Sequence, residues 1–231
     1  SVAPVGAAPH APDPAENRPA RSSDPPFGPI ARREDFLRLE RLLDRVRAVA
    51  AHAGPRPVVV FDLDHTLFDN APRTWAILAD FFEKTGRWSH RLKLEAVSKL
   101  GLPYMLGEIL NGRMGLNDDA LVDEARVYWR DRFFIDHWMV HDVAYPGAAR
   151  FVNALWTAGA TIVYLTGRDS PNMLVGTAQS LRATGFPVGL VRTSLVLKPA
   201  FEIPDADFKR DAVDFMRTLG DVVGFFDNEP A

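Results

Sequence analysis

The sequence predicts a three-layer α/β fold, in which a parallel sheet lies between helices, with an α-helical cap inserted after the first strand. Short apolar runs at 58–61, 161–165 and 222–226 are typical of strands buried on both faces. Helical stretches alternate with these runs, as they do in parallel sheets with right-handed crossovers. Between the first two runs, residues 73–142 contain no clear strand and predict several helices. These observations together predict the fold.

The remaining elements are weaker but follow the same alternation. A fainter strand pattern lies at 189–197. The intervening helices are predicted at about 147–158, 171–184 and 207–219. In front of the first strand, apolar residues recur every three or four positions and predict a helix that packs against the domain. They are Phe36, Leu39, Leu42, Leu43, Val46 and Val49.

We therefore divide the chain into four parts. Residues 1–30 contain eight of the 18 prolines and few large apolar residues, so we expect a disordered, Pro/Ala-rich tail. Residues 31–55 form the leading helix and a linker. The α/β core comprises 56–72 and 143–231, and the helical cap comprises 73–142.

Composition excludes several classes of protein. The net charge of -3 over 231 residues offers no general basic field for nucleic acid, and we expect no nucleic-acid partner. The apolar runs are too short for a membrane span. Cysteine is absent, which excludes disulfides and thiolate metal sites.

No signal peptide is evident, so we expect a cytoplasmic protein, although the start at Ser1 leaves N-terminal processing open. The oligomeric state is not predicted.

Polar groups follow the carboxyl ends of the predicted strands. The first run leads into Asp62 and Asp64, the second into Thr166 and Gly167, and the last into Asp227. Ligands of open parallel sheets bind beyond these ends. Several acids there need a compensating charge, and oxygen ligands suit Mg²⁺. Helix capping alone would explain one of these ends but not all three. The sequence therefore predicts a Mg²⁺ site at this edge.

The segments 61–67, 165–168 and 225–229, together with a preceding lysine, resemble the four motifs of the haloacid dehalogenase-like hydrolases. The resemblance covers roughly 58–231 and implies a Rossmann-like core whose helical cap follows the first motif. It also implies a Mg²⁺-dependent phosphatase that hydrolyses a small phosphorylated substrate, a phosphate monoester, through an aspartyl-phosphate.

The resemblance also implies roles for individual residues. Asp62 would be the nucleophile and a metal ligand, and Asp64 the general acid and then base, with its backbone carbonyl on Mg²⁺. Asp227 would complete the metal ligands. Thr166 and the Gly167 amide would bind the phosphoryl oxygens.

The remaining candidates stay open. The motif lysine is Lys209, which begins a helix leading to the last strand and which we favour, or Lys198, which we retain as a substrate-binding candidate. Asn70 follows the first motif, where the family has a flap, and could contact substrate or serve a turn. Glu229 could be a metal ligand itself, or an acid that contacts a metal ligand without binding the metal.

Three functions are compatible with these motifs. The first is the phosphatase. The second is a phosphotransferase or phosphomutase, in which a hydroxyl replaces water as the acceptor. The third is a non-catalytic binding module, because the chain stops four residues after Asp227, where family members usually continue with a helix and a strand. A truncated chain and a core completed in another way are both consistent with that ending.

Overall fold

The computed structural model describes residues 33–99 and 105–228. The predicted tail and Glu229 lie outside the described residues. The chain begins with helix α1, Arg33–Ala50, and strand β1, Pro57–Phe61. None of the described helices is long and apolar enough to cross a membrane.

The core is a four-stranded parallel sheet in the order β5-β4-β1-β6. Its other strands are β4 (Thr161–Asp169), β5 (Thr193–Lys198) and β6 (Asp221–Phe226). The core helices are α5 (Ala148–Thr157), α6 (Ser170–Ala183) and α7 (Asp205–Leu219). The predicted α/β fold with a parallel sheet is confirmed. It makes β1 a central strand, with β4 and β6 as its neighbours.

Side chains alternate between the two faces of this sheet. Val59 and Phe61 of β1 face one apolar cluster, which includes Leu43 and Val46 of α1 and Val152 of α5. Val58 and Val60 face the opposite cluster, which Ala212 and Met216 of α7 complete. The continuous apolar runs seen in the sequence follow from this burial on both faces.

The segment between β1 and β4 is helical apart from two short strands. Its helices are α2 (Ala71–Lys84), α3 (Trp88–Ser98) and α4 (Asp119–Phe133), with a π-helical turn at Glu108–Arg113 and a 3₁₀ turn at Asp136–His141. A separate apolar core holds them together, with Leu78, Phe82 and Leu110 fully buried. Asp118 accepts a hydrogen bond from the Leu121 amide and caps α4.

Two short strands form the base of the cap. They are β2, Phe68–Asp69, which follows the first motif, and β3, Val143–Ala144, which follows the 3₁₀ turn. They pair antiparallel with each other. The strand after the first motif therefore pairs with the segment that leaves the cap, so the two connections between cap and core run side by side.

Strand β4 is longer than the sequence predicts. The apolar run ends at Leu165, but extended structure continues to Asp169 with an irregular register against β5 after Thr166. Asp169 then caps α6 by accepting a hydrogen bond from the Asn172 amide. This extension determines where the second motif lies relative to the first.

Candidate active site

The nucleophile candidate lies at the end of the central strand. The Asp62 amide donates a hydrogen bond to the Phe226 carbonyl at 2.8 Å, and the rings of Phe61 and Phe226 stack at 4.8 Å between centroids. After Asp62 the chain turns tightly, with three amides donating to the Leu63 carbonyl and His65 at a φ of 59°. The turn brings Asp62 and Asp64 to the same cavity.

Lys209 of α7 joins the first and last motifs. Its Nζ lies 3.2 Å from Asp62 Oδ1 and 2.7 Å from Asp227 Oδ2. Burial alone would lower the pKa of Lys209, but the hydrogen bond to Asp227 and the charge of Asp62 raise it. The structure thus brings Asp62, Asp227 and Lys209 together at the ends of neighbouring strands.

Asp62 and Asp227 share contact with a single ammonium, that of Lys209. Burial raises the pKa of Asp62 to about 6; Lys209 opposes this, while the charges of Asp64 and Asp227 add to it. Asp64 is paired with arginines, so Lys209 is left to face two carboxylates. A cation beside Asp62 and Asp227 would reduce the repulsion between the two carboxylates.

The oxygen donors present also fit a magnesium ion. Mg²⁺ is commonly held by one or two carboxylates, with waters and substrate phosphate completing its octahedron. Asp62 and Asp227 supply the carboxylates, and the Asp64 carbonyl is the third candidate. Within residues 33–99 and 105–228, no group of three or more His, Asp or Glu side chains is arranged to hold a metal. A metal here would therefore depend on backbone, water and substrate oxygens.

Asp64 is held by two arginines that the sequence did not assign to it. Arg168 donates to it through Nη2 at 2.6 Å and Nε at 3.1 Å, and Arg73 Nη2 lies 3.7 Å away. Burial alone would raise the pKa of Asp64, but the charge and hydrogen bonds of Arg168, with the charge of Arg73, hold it well below its usual range. The carboxylate is therefore ionised, the form that accepts a proton.

The second motif is arranged differently from the prediction. Thr166 is fully buried, and its hydroxyl accepts a hydrogen bond from the Arg168 amide at 3.3 Å. Because β4 continues to Asp169, Thr166 remains within the sheet and is not among the residues that line the cavity. Gly167 does line it. Of the two second-motif residues expected to bind phosphate, the structure thus places Gly167 at the cavity and the Thr166 hydroxyl within the sheet.

Lys198 does not reach the two carboxylates that Lys209 contacts. Its Nζ donates to the carbonyls of Phe201 and Ile203 and to the Asp205 carboxylate, at 2.8–3.1 Å. These bonds use all three of its protons. The structure thus places the Lys198 ammonium on a loop rather than among the residues that line the cavity, and its role in substrate binding stays a prediction. Lys198 ties together the loop between β5 and α7.

Asn70 lies where the prediction puts a substrate contact. It is 1% exposed, lines the cavity, and its carboxamide has no hydrogen-bond partner among the described residues. Its side chain does not cap α2, which begins at the next residue. An unpaired buried amide is costly unless another group completes it, so Asn70 is suited to bind a ligand.

Several of these residues, namely Asp62, Asp64, Asn70, Gly167 and Lys209, line a cavity of about 550 Å³ between core and cap, whereas Asp227 is not among its lining residues. The core contributes charged side chains, which are those of Asp62, Asp64, Arg168, Asp205 and Lys209. The cap contributes a largely aromatic wall: Trp129, Phe133 and Phe134, with Arg126 and Thr74 beside them. The charged end suits a phosphate group, and the apolar wall suits the rest of a small molecule.

Sequence reasoning missed the buried partners of Asp64. It did not connect Arg168, Arg73 or Asp142 with Asp64. In the structure both arginines and Asp142 are buried. Arg73 and Asp142 stand 69 positions apart in the sequence, and no spacing pattern links them.

The structural neighbours include phosphatases, a haloacid dehalogenase-like hydrolase and the protein tyrosine kinase A of Mycobacterium tuberculosis, all at 16–20% identity. A class C acid phosphatase from Bacillus anthracis with tungstate bound is 19% identical, with a TM-score of 0.45 and coverage of 82% of this chain and 62% of its own. A protein from Clostridium difficile assigned as a phosphatase is 16% identical, with a TM-score of 0.48 and coverage of 72% of each chain. A protein from Bacteroides fragilis assigned as a haloacid dehalogenase-like hydrolase is 17% identical, with a TM-score of 0.39 and coverage of 69% and 72%.

The chain spans about three fifths of the length of the two class C acid phosphatase structures. No protein-family model matches the chain, and no curated protein matches it. Because each of these TM-scores is below 0.5, we base the function proposed below on this chain's own residues.

Proposed function

We propose that this protein is a Mg²⁺-dependent phosphatase that hydrolyses a phosphate monoester through an aspartyl-phosphate on Asp62. The observation that carries the proposal is that Lys209 contacts both Asp62, which with Lys209 lines the cavity, and Asp227 next to them. This arrangement combines a nucleophilic carboxylate, a positive charge next to it and a second carboxylate suited to metal. Phosphoryl transfer depends mainly on such positioning and charge stabilisation.

In the first step, an Asp62 oxygen attacks phosphorus. A bond forms between that oxygen and phosphorus, and the bond from phosphorus to the ester oxygen breaks. The leaving group departs with the electron pair and takes up a proton from solvent water, because Asp64 is ionised in this structure. Lys209, whose Nζ lies 3.2 Å from Asp62, and the Gly167 backbone at the cavity would stabilise the phosphoryl group, and Asn70 is available to the substrate. Mg²⁺ on Asp62 and Asp227 would reduce the repulsion between the nucleophile and the anionic substrate.

In the second step, water attacks the phosphorus of the aspartyl-phosphate. One proton of that water passes to the ionised Asp64 carboxylate, and the bond between phosphorus and the Asp62 oxygen breaks. Inorganic phosphate leaves and Asp62 is restored. The arginine contacts of Asp64 keep its carboxylate ionised and fix its position in the structure as it stands, although the lowered pKa also makes it a weaker base. Proton donation in the first step is therefore most needed for poor leaving groups and least for activated aryl esters.

The test is hydrolysis of p-nitrophenyl phosphate with and without Mg²⁺, in the wild type and in Asp62→Asn. We expect turnover only with Mg²⁺ and none in Asp62→Asn, because its carboxamide is a poor nucleophile. Asp44→Asn, an exposed change on α1, is the matched control and should keep full activity. Full activity in Asp62→Asn, or turnover independent of metal, would contradict the mechanism. A well-folded protein that turns over no phosphate ester would favour a binding module.

A further inference from the structure

Asp64 belongs to a network of four charged side chains, three of them buried. The mechanism above uses Asp64 directly and the other three only through their contacts with it. We refer to Asp64, Arg73, Asp142 and Arg168 as the arginine clamp. The side chains of Arg73 and Asp142 are fully buried and that of Arg168 is 1% exposed, whereas that of Asp64 is 33% exposed. Asp64 is thus the one member of the clamp whose side chain is substantially open.

The hydrogen bonds of the clamp converge on Asp142. Its carboxylate accepts from Arg73 Nε at 2.7 Å, from Arg73 Nη2 at 2.5 Å and from Arg168 Nη2 at 2.8 Å. Paired bonds between a guanidinium and a carboxylate fix the plane of the guanidinium as well as its position. Asp142 therefore orients both of the groups that hold Asp64.

Other contacts fix the far sides of the two arginines. Arg73 Nη1 donates to the Phe133 carbonyl at 2.9 Å, and its guanidinium lies 4.3 Å from the centre of the Phe133 ring. Arg168 Nη1 donates to Thr177 Oγ1 at 3.1 Å. Neither guanidinium can turn without breaking bonds in a buried environment.

The clamp spans the junction between cap and core. Arg73 lies in the first turn of α2, just after the chain enters the cap, and Asp142 lies just before β3, where the chain leaves it. Arg168 belongs to core strand β4. Arg73 and Asp142 thus bring the cap side of the junction to Arg168 and Asp64.

We propose that Asp142 is a positioning residue, which sets the place of Asp64 for water attack by holding Arg73 and Arg168. The inference rests on the proposed function, because it concerns the second step of that reaction. The geometry makes the base depend on a cap residue that does not line the cavity. A displacement of a reacting group by about 1 Å can cost roughly 100-fold in rate.

A purely structural role for Asp142 predicts a different kinetic result. If the clamp only held the fold together, a preparation of the variant would contain less folded enzyme. The burst and the steady rate would then fall by the same factor. If Asp142 positions Asp64, the second step alone would slow, and the aspartyl-phosphate would accumulate. The two roles therefore separate in pre-steady-state kinetics.

The experiment uses 2,4-dinitrophenyl phosphate with Mg²⁺, because dinitrophenolate leaves without needing a proton. We expect Asp142→Asn to release a burst approaching one equivalent of dinitrophenolate per folded enzyme, followed by a steady rate reduced at least about tenfold. Intact-mass measurement should detect the phosphorylated chain. Asp136→Asn is the matched control, since Asp136 also bonds across to the core, at the Gly176 amide, but does not touch the clamp. It should keep the wild-type ratio of burst to steady rate.

A double-variant cycle gives the second readout. In Asp64→Asn the decay of the aspartyl-phosphate should slow, and adding Asp142→Asn should slow it no further, because Asp142 acts through Asp64. Additive losses, or equal losses of burst and steady rate, overturn the inference. If Asp142→Asn does not fold, Arg73→Lys, which keeps the charge but not the paired bonds, gives the same comparison. Absence of any burst or turnover in the wild type would instead refute the proposed function.

Discussion

The two lysines that the sequence offered for one role can be separated by matched substitutions, Lys209→Met and Lys198→Met. The Lys209 ammonium lies 3.2 Å from Asp62, whereas that of Lys198 is bonded to two carbonyls and to Asp205. Each change removes one charge and keeps an unbranched side chain. We expect only Lys209→Met to abolish the chemistry.

The magnitude follows from the distances. At an effective dielectric of about 20, a unit charge 4 Å from another is worth roughly 4 kcal/mol. Loss of one such stabilising group from a transition state typically costs about 3–4 kcal/mol, or roughly 100- to 1,000-fold in kcat. Lys198→Met leaves two loop carbonyls without their donor, which should cost about 1–3 kcal/mol of folding stability. Its kcat should stay within about threefold of the wild type, because it touches no reacting group.

The assay is kcat and KM for p-nitrophenyl phosphate in saturating Mg²⁺, together with urea unfolding of both variants. In Lys209→Met, kcat should fall while the free energy of unfolding changes only modestly. In Lys198→Met, the free energy of unfolding should fall while kcat changes only modestly. Arg217→Met, a fully surface-facing change later on α7, controls for loss of charge on that helix. A large loss of kcat in Lys198→Met, with activity kept in Lys209→Met, would refute the assignment made from these distances.

Two further predictions concern the metal and the contact between cap and core. Mg²⁺ at about 100 times its dissociation constant should stabilise the wild type by roughly 2.7 kcal/mol, which is measured as a raised Tm. In Asp227→Asn this rise in Tm should be lost. An equal rise in both proteins would contradict the metal assignment. Gly176→Ala should destabilise the fold by about 1–3 kcal/mol in urea unfolding, because a Cβ there would lie 2.5 Å from the Asp136 carbonyl oxygen. An unchanged unfolding midpoint would show that this contact can open without cost.

The sequence predicted the core well because its signals are local. A strand buried on both faces reads as a continuous apolar run, and the run at 58–61 corresponds to β1, the central strand. Asp62 and Asp227 stand next to such runs, so parallel pairing of β1 with β6 brings them to one edge. The helical pattern before β1 likewise matches α1.

Other assignments depended on distances that spacing does not encode. Lys198 and Lys209 both precede the last strand, and only the path of the loop between β5 and α7 directs one into the site and the other away from it. The continuation of β4 past Leu165 kept the Thr166 hydroxyl in the sheet. Backbone hydrogen bonds with β5, rather than apolar character, determine that extension.

By itself, the sequence determined the parallel α/β core, the helical insertion and the acids at the ends of β1 and β6, because hydrophobic periodicity and neighbouring polar residues are properties of short segments. The tertiary structure alone decided which cation faces each acid. Asp64 is held by Arg168 and Arg73, and Arg73 is bonded to Asp142, which is distant in sequence. A buried charge is stable only beside its partner, and that partner is chosen by the packing of cap against core rather than by any local pattern.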